Sequence, residues 1–440
     1  MALTSRNTIA TKLDPYDHKG RASALPFFQL RTTILLAMLV AGRLAGTVTY
    51  HSEVAPVLEQ HCVRCHRAGE IAPMAFQTYA QTRPWAAAIR EQVLLRRMPP
   101  WFARGTQQGH FANDPSLTER EIAILREWAD TGAAEGKIAT PTPGKVWPAG
   151  WNIPRQDAIF QMEKPFQIPA SGAVDYQYFV VPTGFTEDRW VHSVEIRPSA
   201  RANVHHVVVY VREKDSPWLR DGNMRIPPKS DILLIYTPGS EARTLPAGMG
   251  KKVEAGTDLV FQIHYTTNGM AAEDRTKIAL TFATEAPAKR VLTLQMGNST
   301  FHIPPGEIRF PVLVRGTLPN DAELLSFFPH MHLRGSAFEY RIIPSKGPAE
   351  VLLHVEPYDF YWQLDYVLRI PLPLRAGTKF EWEAWFDNSA ANARNPDAKA
   401  TVGYGEQSWE EMMIGFFEVA VPAGMTKEKF FERAGSPLKP

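Results

Sequence analysis

Two cysteines and a histidine stand as Cys62-Val-Arg-Cys65-His66, and the chain has no other cysteine. Two thiols spaced C-x-x-C with an imidazole next to them suit covalent attachment of a c-type haem. The thiols add to the vinyl groups while the imidazole reaches the iron. A redox dithiol or half of a zinc site uses the same letters. Zinc would need further cysteines, and a dithiol of the thioredoxin kind would need a βαβ surround that the flanking sequence lacks. The distal iron ligand is expected from Met98 in Arg-Arg-Met98-Pro-Pro-Trp, where prolines stiffen the loop that carries the thioether. Met74 is the competitor, and either methionine could serve as core filler instead.

Histidine is the second scarce resource, with 13 in 440 residues. His205 and His206 are adjacent, His264 lies in Phe261-Gln-Ile-His264-Tyr265, and His330-Met331-His332 brackets one residue. Side-chain direction on a strand repeats every second residue, so His330 and His332 point to one face and form a ready pair. His205 and His206 would point to opposite faces, so joint ligation needs a bulge, a strand end or different ring nitrogens toward the metal. Taken singly, each is more simply a hydrogen-bonded core histidine, and His192, His302 and His354 carry only that reading. Near the C-terminus, Trp409-Glu-Glu411-Met412-Met413 offers a thioether from Met412, with Met413 as the fallback. Imidazole plus thioether suits copper cycling between its two valences, whereas zinc would favour cysteine or carboxylate.

In order, His-His, Q-I-H-Y, H-M-H and E-M resemble the copper type II, ascorbate-dependent monooxygenases, the family of peptidylglycine α-hydroxylating monooxygenase and dopamine β-monooxygenase. The resemblance covers about residues 160 to 425. It implies two jelly-roll β-sandwiches with one copper each, facing one another across a cleft. His205, His206 and His264 would hold an electron-donating copper. His330, His332 and Met412 would hold the copper where O2 binds and a C–H bond of a small organic substrate is hydroxylated, which makes these three the implied catalytic residues. Two departures bear on substrate. Phe328 stands where the peptide hydroxylase carries an arginine two residues before the H-x-H, and Phe416 stands where a tyrosine follows the copper methionine. Loss of a guanidinium fork removes bidentate carboxylate recognition. That points to a more apolar substrate than a glycine-extended peptide, unless Phe327, Phe328 and Phe416 simply pack.

Residues 47–137 in turn resemble a small class I cytochrome c domain, with Cys62, Cys65, His66, Met98 and a terminal helix over 117–133 in matching order. The two resemblances together imply an oxidoreductase with two copper ions and one covalent haem c. An external donor, an ascorbate-like reductant or a redox protein, would supply the electrons. A non-catalytic haem and copper electron carrier, or a copper-handling protein, would hold the same ligands.

The elements that must position these residues change character along the chain. Apolar residues recur at helical spacing over 53–60 (Val54, Val57, Leu58), 85–97 (Ile89, Val93, Leu94) and 118–130 (Ile122, Leu125, Trp128). Thr118 and Glu121 have the form of a capping box, and Gly132 sits where that helix would stop. After about Gln156 the period becomes two, as in Trp190, His192, Val194 and Ile196, or in Leu259, Phe261, Ile263 and Tyr265. The expectation is a multidomain chain, a small all-α domain followed by two all-β sandwiches: haem domain 47–137, Pro/Gly linker 138–157, sandwiches 158–285 and 286–440. Residues 1–46 read as a leader with a secretory signal, Arg31 preceding the apolar run Thr33 to Ala41 and small residues following it. The run is shorter than the ~20 residues a span requires, so membrane association is expected only if it stays uncleaved. Haem c attachment and export place the protein in the periplasm or outside the cell.

Length and composition agree with several packed cores, at 44% hydrophobic and 21% charged residues. The balance of 48 basic and 46 acidic residues leaves a net charge of +2, too small for the electrostatic footprint of a nucleic-acid binder.

Overall fold

The computed structural model describes residues 48–105, 109–137, 150–224, 226–227, 230–240 and 242–432. The expected leader and the start of the linker lie outside these residues. Among the described residues no helix is long and apolar enough to cross a membrane.

The helical segment follows its sequence signals closely. Helix Glu119–Asp130 starts at Thr118, whose hydroxyl accepts the Glu121 N–H while the Glu121 carboxylate accepts the Thr118 N–H at 2.7 Å. Ile122, Leu125 and Trp128 are its buried face, and Gly132 leaves it with φ +95°. The second expected helix is shorter than its apolar pattern, Ala86–Leu94, because Arg96 takes a left-handed conformation with φ 52°. The first begins as a π-helical turn, Tyr50–Val54, and continues as Ala55–His61 with Pro56 in its first turn. Val54, Leu58, Ile89, Val93, Leu125 and Trp128 close a small core.

The rest is β structure built on one long sheet. Its strands run in the spatial order Tyr366–Leu374, Ala322–His330, Met413–Pro422, Lys289–Asn298, Met249–Val253, Arg189–Arg197, Lys277–Phe282 and Ala158–Gln161. One half of this sheet packs a core with a four-stranded sheet of Gln177–Pro182, Asp258–Tyr265, Val204–Arg212 and Asp231–Tyr236. The other half packs against a five-stranded sheet that includes Gly335–Ile343 and Lys379–Phe386. Two sandwiches are therefore present, but the boundary near 286 is not a gap. Lys289 and Arg290 pair in parallel with Met249 and Gly250 and make the sheet continuous across it.

Two other boundaries differ from expectation for reasons of burial. Residues 99–105 and 109–113, within the segment expected to form a haem domain, belong instead to the second sandwich. Ala103–Arg104 pairs with Glu350–Val355, and Phe102 and Phe111 are buried in that sandwich's core. Aromatic side chains of this size gain most from a dry environment, and the small helical core has none to spare for them. The linker's end is likewise sandwich: the Glu195 carboxylate accepts the backbone N–H groups of Asn152 and Ile153. The alternation Trp190, His192, Val194, Ile196 breaks at a bulge opposite Thr281 and Phe282, so the core receives Val191, Val194 and Ile196 instead.

The strand Val204–Arg212 is buried along its whole length. Val207, Val209 and Val211 face their own sandwich, while Val208 and Tyr210 meet Phe328 and Phe416 of the other. Phe327 lies in the second core. The three phenylalanines thus have packing roles, and Phe328 and Phe416 seal the two sandwiches together.

Candidate metal and haem centre

The bulge that joint ligation by His205 and His206 demands is present. On the neighbouring strand His264 pairs with His206 and Tyr265 with Val204, so His205 is the extra residue. The result brings His205, His206 and His264 together, with one ligand atom from each within 4.8 Å of the others. His205 and His206 turn their Nδ1 atoms toward one another at 2.9 Å, a separation that suits two ligands each about 2.0 Å from one ion. His205 Nε2–H donates to the Phe360 carbonyl at 2.8 Å, which fixes the tautomer and leaves Nδ1 as the lone-pair nitrogen. Phe360 also stacks on the His205 ring, with centroids 4.0 Å apart, and Tyr176 stacks on His264 at 4.8 Å.

His330 ends its strand and His332 follows the fully buried Met331, whose side chain goes the other way into the second core. The two rings lie edge to face, 5.2 Å apart. Gln363 donates through Nε2 to the carbonyls of Met331 and Phe360, so its Oε1 must be the acceptor for His330 Nδ1–H at 2.8 Å. His332 Nδ1–H donates to the Glu410 carbonyl. Both rings therefore keep Nε2 as the free base. The Glu411 carboxylate accepts the backbone N–H of His332 at 2.9 Å and of Arg334 at 2.6 Å, clamping the chain just after the H-x-H.

Of the two methionines, Met413 is fully buried in the second core with Phe417, Val419 and Val421. Ile414 and Phe416, on the opposite face of that strand, pair across with His330 and Phe328. Met412 precedes the strand by one residue and has the parity of Ile414 and Phe416, the histidine side.

The two sets do not face one another across a cleft. His206 and His330 meet edge to face with centroids 5.6 Å apart, so the five imidazoles form one contiguous group. The cause is residues 358–364. Phe360 holds His205, Gln363 holds His330, and the Tyr358 hydroxyl bonds both the N–H and the carbonyl of Met331. None of these residues stands out in sequence, although Gln363 is the one side-chain amide in Phe360-Tyr-Trp-Gln-Leu.

Burial keeps the group neutral. It lowers His264 and His330 to about 4, and it takes His205, His206 and His332 well below their ordinary range, with neighbouring imidazoles adding to the effect at all but His330. Among the described residues His264 Nδ1 and His332 Nε2 are buried without a hydrogen-bond partner. Buried ring nitrogens left unpaired are costly and suit a metal ion as the missing partner. A pH dependence follows for the metal-free protein. Below about 6.5 the unfolded histidines take up protons while the folded ones do not, so stability is full above 6.5 and falls as pH drops toward 4. The slope is about 1.4 kcal/mol per pH unit for each histidine. Urea midpoints across pH 7 to 4 should fall accordingly, and a flat profile would contradict the neutral cluster.

The C-x-x-C-H segment opens onto a mostly apolar cavity of about 520 Å³, lined by Cys62, Cys65, His66, Met74 and Met98 among others, a size typical of ligand sites. His66 stacks on Phe76 and donates Nδ1–H to the Met74 carbonyl at 3.2 Å, so its Nε2 is the nitrogen available to a ligand. Burial pushes the Cys62 thiol up to about 12, which suppresses the thiolate a redox dithiol would need.

No family model and no curated protein matches this chain. Among solved structures, a crystal structure of the STIV MCP superposes with a TM-score of 0.27 at 8% identity, covering 60% of this chain and 97% of that one. The major capsid protein P2 from bacteriophage PM2 gives 0.25 at 8% identity, with 60% and 97% covered.

Proposed function

We propose that this protein is an exported copper-dependent monooxygenase that hydroxylates a C–H bond of a small organic substrate with O2, its electrons supplied through a fused c-type haem. The observation that carries the reading is the convergence of five buried, neutral histidines, two of them with unpartnered ring nitrogens, beside an apolar cavity lined by a C-x-x-C-H segment. In this reading the helical segment, residues 48–98 together with 114–137, supplies a cytochrome c-like unit and the sandwiches are jelly rolls of the copper type II monooxygenase kind.

His205, His206 and His264 would hold one copper, and His330, His332 and Met412 the other. Cys62, Cys65, His66 and Met98, which line one cavity, would hold the haem. Met74 is the weaker choice beside Met98, because its carbonyl already accepts the His66 Nδ1–H. Bound copper would supply O2 activation and C–H hydroxylation, and bound haem would supply one-electron transfer. The chain's own part is to fix the ring tautomers through Phe360, Gln363 and Glu410, to clamp the H-x-H through Glu411, and to keep the group dry between Phe328, Phe416 and residues 358–364. The overall balance is one C–H bond and O2, with two electrons and two protons, giving one hydroxyl and one water.

The test is copper per haem by elemental analysis on protein matured with haem c. About two coppers are expected in the wild type and about one in His330→Ala. Substoichiometric copper that the substitution leaves unchanged would overturn the reading.

A further inference from the structure

His205, His206 and His264 all stand on strands of the first sandwich, Val204–Arg212 and Asp258–Tyr265. Two of their rings are bonded to groups of the second. His205 gives its Nε2–H to the Phe360 carbonyl, and His264 Nε2 lies 3.2 Å from the Ser408 hydroxyl oxygen. His264 Nδ1 is buried without a hydrogen-bond partner. If Ser408 gave its own proton to Nε2, Nδ1 would carry a buried N–H with nothing to receive it and no lone pair for a metal. With the Ser408 oxygen accepting Nε2–H, Nδ1 becomes the lone-pair nitrogen. His205 has the same arrangement, its Nδ1 turned toward that of His206 at 2.9 Å.

The serine is fixed by its backbone, not by this bond. It stands in a turn over 407–410, where the Glu410 N–H donates to the Gln407 carbonyl and the Glu410 carboxylate accepts the Gln407 N–H, both at 2.9 Å. Behind the turn, the Gly405 N–H donates to the Glu411 carbonyl and the Glu411 N–H to the Gly403 carbonyl. The same turn offers the Glu410 carbonyl to His332, so one short loop reaches both histidine sets.

We propose that Ser408 is a positioning residue for the three-histidine copper site, its hydroxyl oxygen accepting His264 Nε2–H and so leaving Nδ1 as the ligand. A site whose ligands all belong to one sandwich is thereby completed by the other. An outer partner of this kind is worth roughly 10- to 100-fold in metal affinity, because a ring free to turn or change tautomer must be ordered before it binds. The inference rests on the copper reading above.

The test is titration with cupric ion against a competing chelator, with electron paramagnetic resonance of the bound ion. In His330→Ala, which keeps the three-histidine site, adding Ser408→Ala should weaken copper binding by roughly 10- to 100-fold and alter the cupric spectrum. Ser408→Thr, which keeps the hydroxyl, should restore both. In His264→Ala, where the H-x-H site is the intact one, adding Ser408→Ala should leave copper affinity unchanged, which separates loss of the hydroxyl from damage to the turn. Unaltered affinity and spectrum in the first pair, no recovery with threonine, or an equal loss at the H-x-H site would each overturn the inference while the copper reading stands. Failure of the wild type to take up copper would overturn the proposed function itself, and this inference with it.

Discussion

Glu411→Ala is expected to lower stability by about 2–5 kcal/mol, the cost of leaving two buried backbone donors unpaired. The Glu411 carboxylate accepts the N–H groups of both His332 and Arg334, and it is fully buried. Burial pushes its acid up to about 8, against the lowering effect of those two N–H bonds and of the Arg334 guanidinium. Arg334, itself 1% exposed, is tied to Asn388 and to the Trp409 carbonyl, so the loop after the H-x-H cannot relax toward water to compensate. Losing the clamp frees His332, and copper at the H-x-H site should fall with stability while the three-histidine cluster keeps its own. Glu411→Gln retains the volume and one acceptor oxygen, so it should recover part of both effects. Urea denaturation and copper analysis on the two variants measure this directly. Copper loss from both sites together, or wild-type stability in the alanine variant, would refute the positioning role.

How much of this was legible follows from which signals are local. The capping box at Thr118 and the helical face of Ile122, Leu125 and Trp128 depend on neighbours within one turn, and they are found as the spacing predicts. The core-facing set Leu259, Phe261, Ile263 and Tyr265 is likewise a property of one strand. The His205 and His206 pair posed a demand for a bulge, and the register meets it at His205. What the sequence does not carry is the contact between the two histidine sets. That contact depends on residues 358–364, which touch His205 and His330 from positions about 155 and 33 residues away. No periodicity links such residues. The choice of Met412 over Met413 was open for a related reason: either thioether suits copper, and only strand parity assigns Met413 to the core. That residues 99–105 and 109–113 join the second sandwich is hidden in the same way, since aromatic residues beside Pro99 and Pro100 do not announce which core they enter.

That last segment provides the second large effect. Phe111→Ala should cost about 3–5 kcal/mol, the range for truncating a fully buried phenylalanine. The side chain is 1% exposed and packs edge to face on Trp101 and on Tyr366 of the second sandwich. Around it the backbone is stitched to the same sandwich, the Ala112 N–H donating to the Val367 carbonyl and the Arg369 N–H to that of His110. If residues 47–137 formed a self-contained domain, the substitution would weaken the helical core and leave the sandwiches as stable as before. The structure predicts the reverse: the loss falls on the second sandwich, and the urea midpoint of its tryptophan fluorescence moves down. Leu95→Ala, exposed and on the helical segment, is the control and should stay within about 0.5 kcal/mol of wild type. Only residues 99–101 separate Met98 from Phe102, so a slackened anchor should also loosen Met98. In protein matured with haem, the absorption of a thioether-ligated iron should weaken in Phe111→Ala and persist in Leu95→Ala. A wild-type midpoint in Phe111→Ala would show that the aromatic anchor contributes nothing and that the helical unit folds by itself.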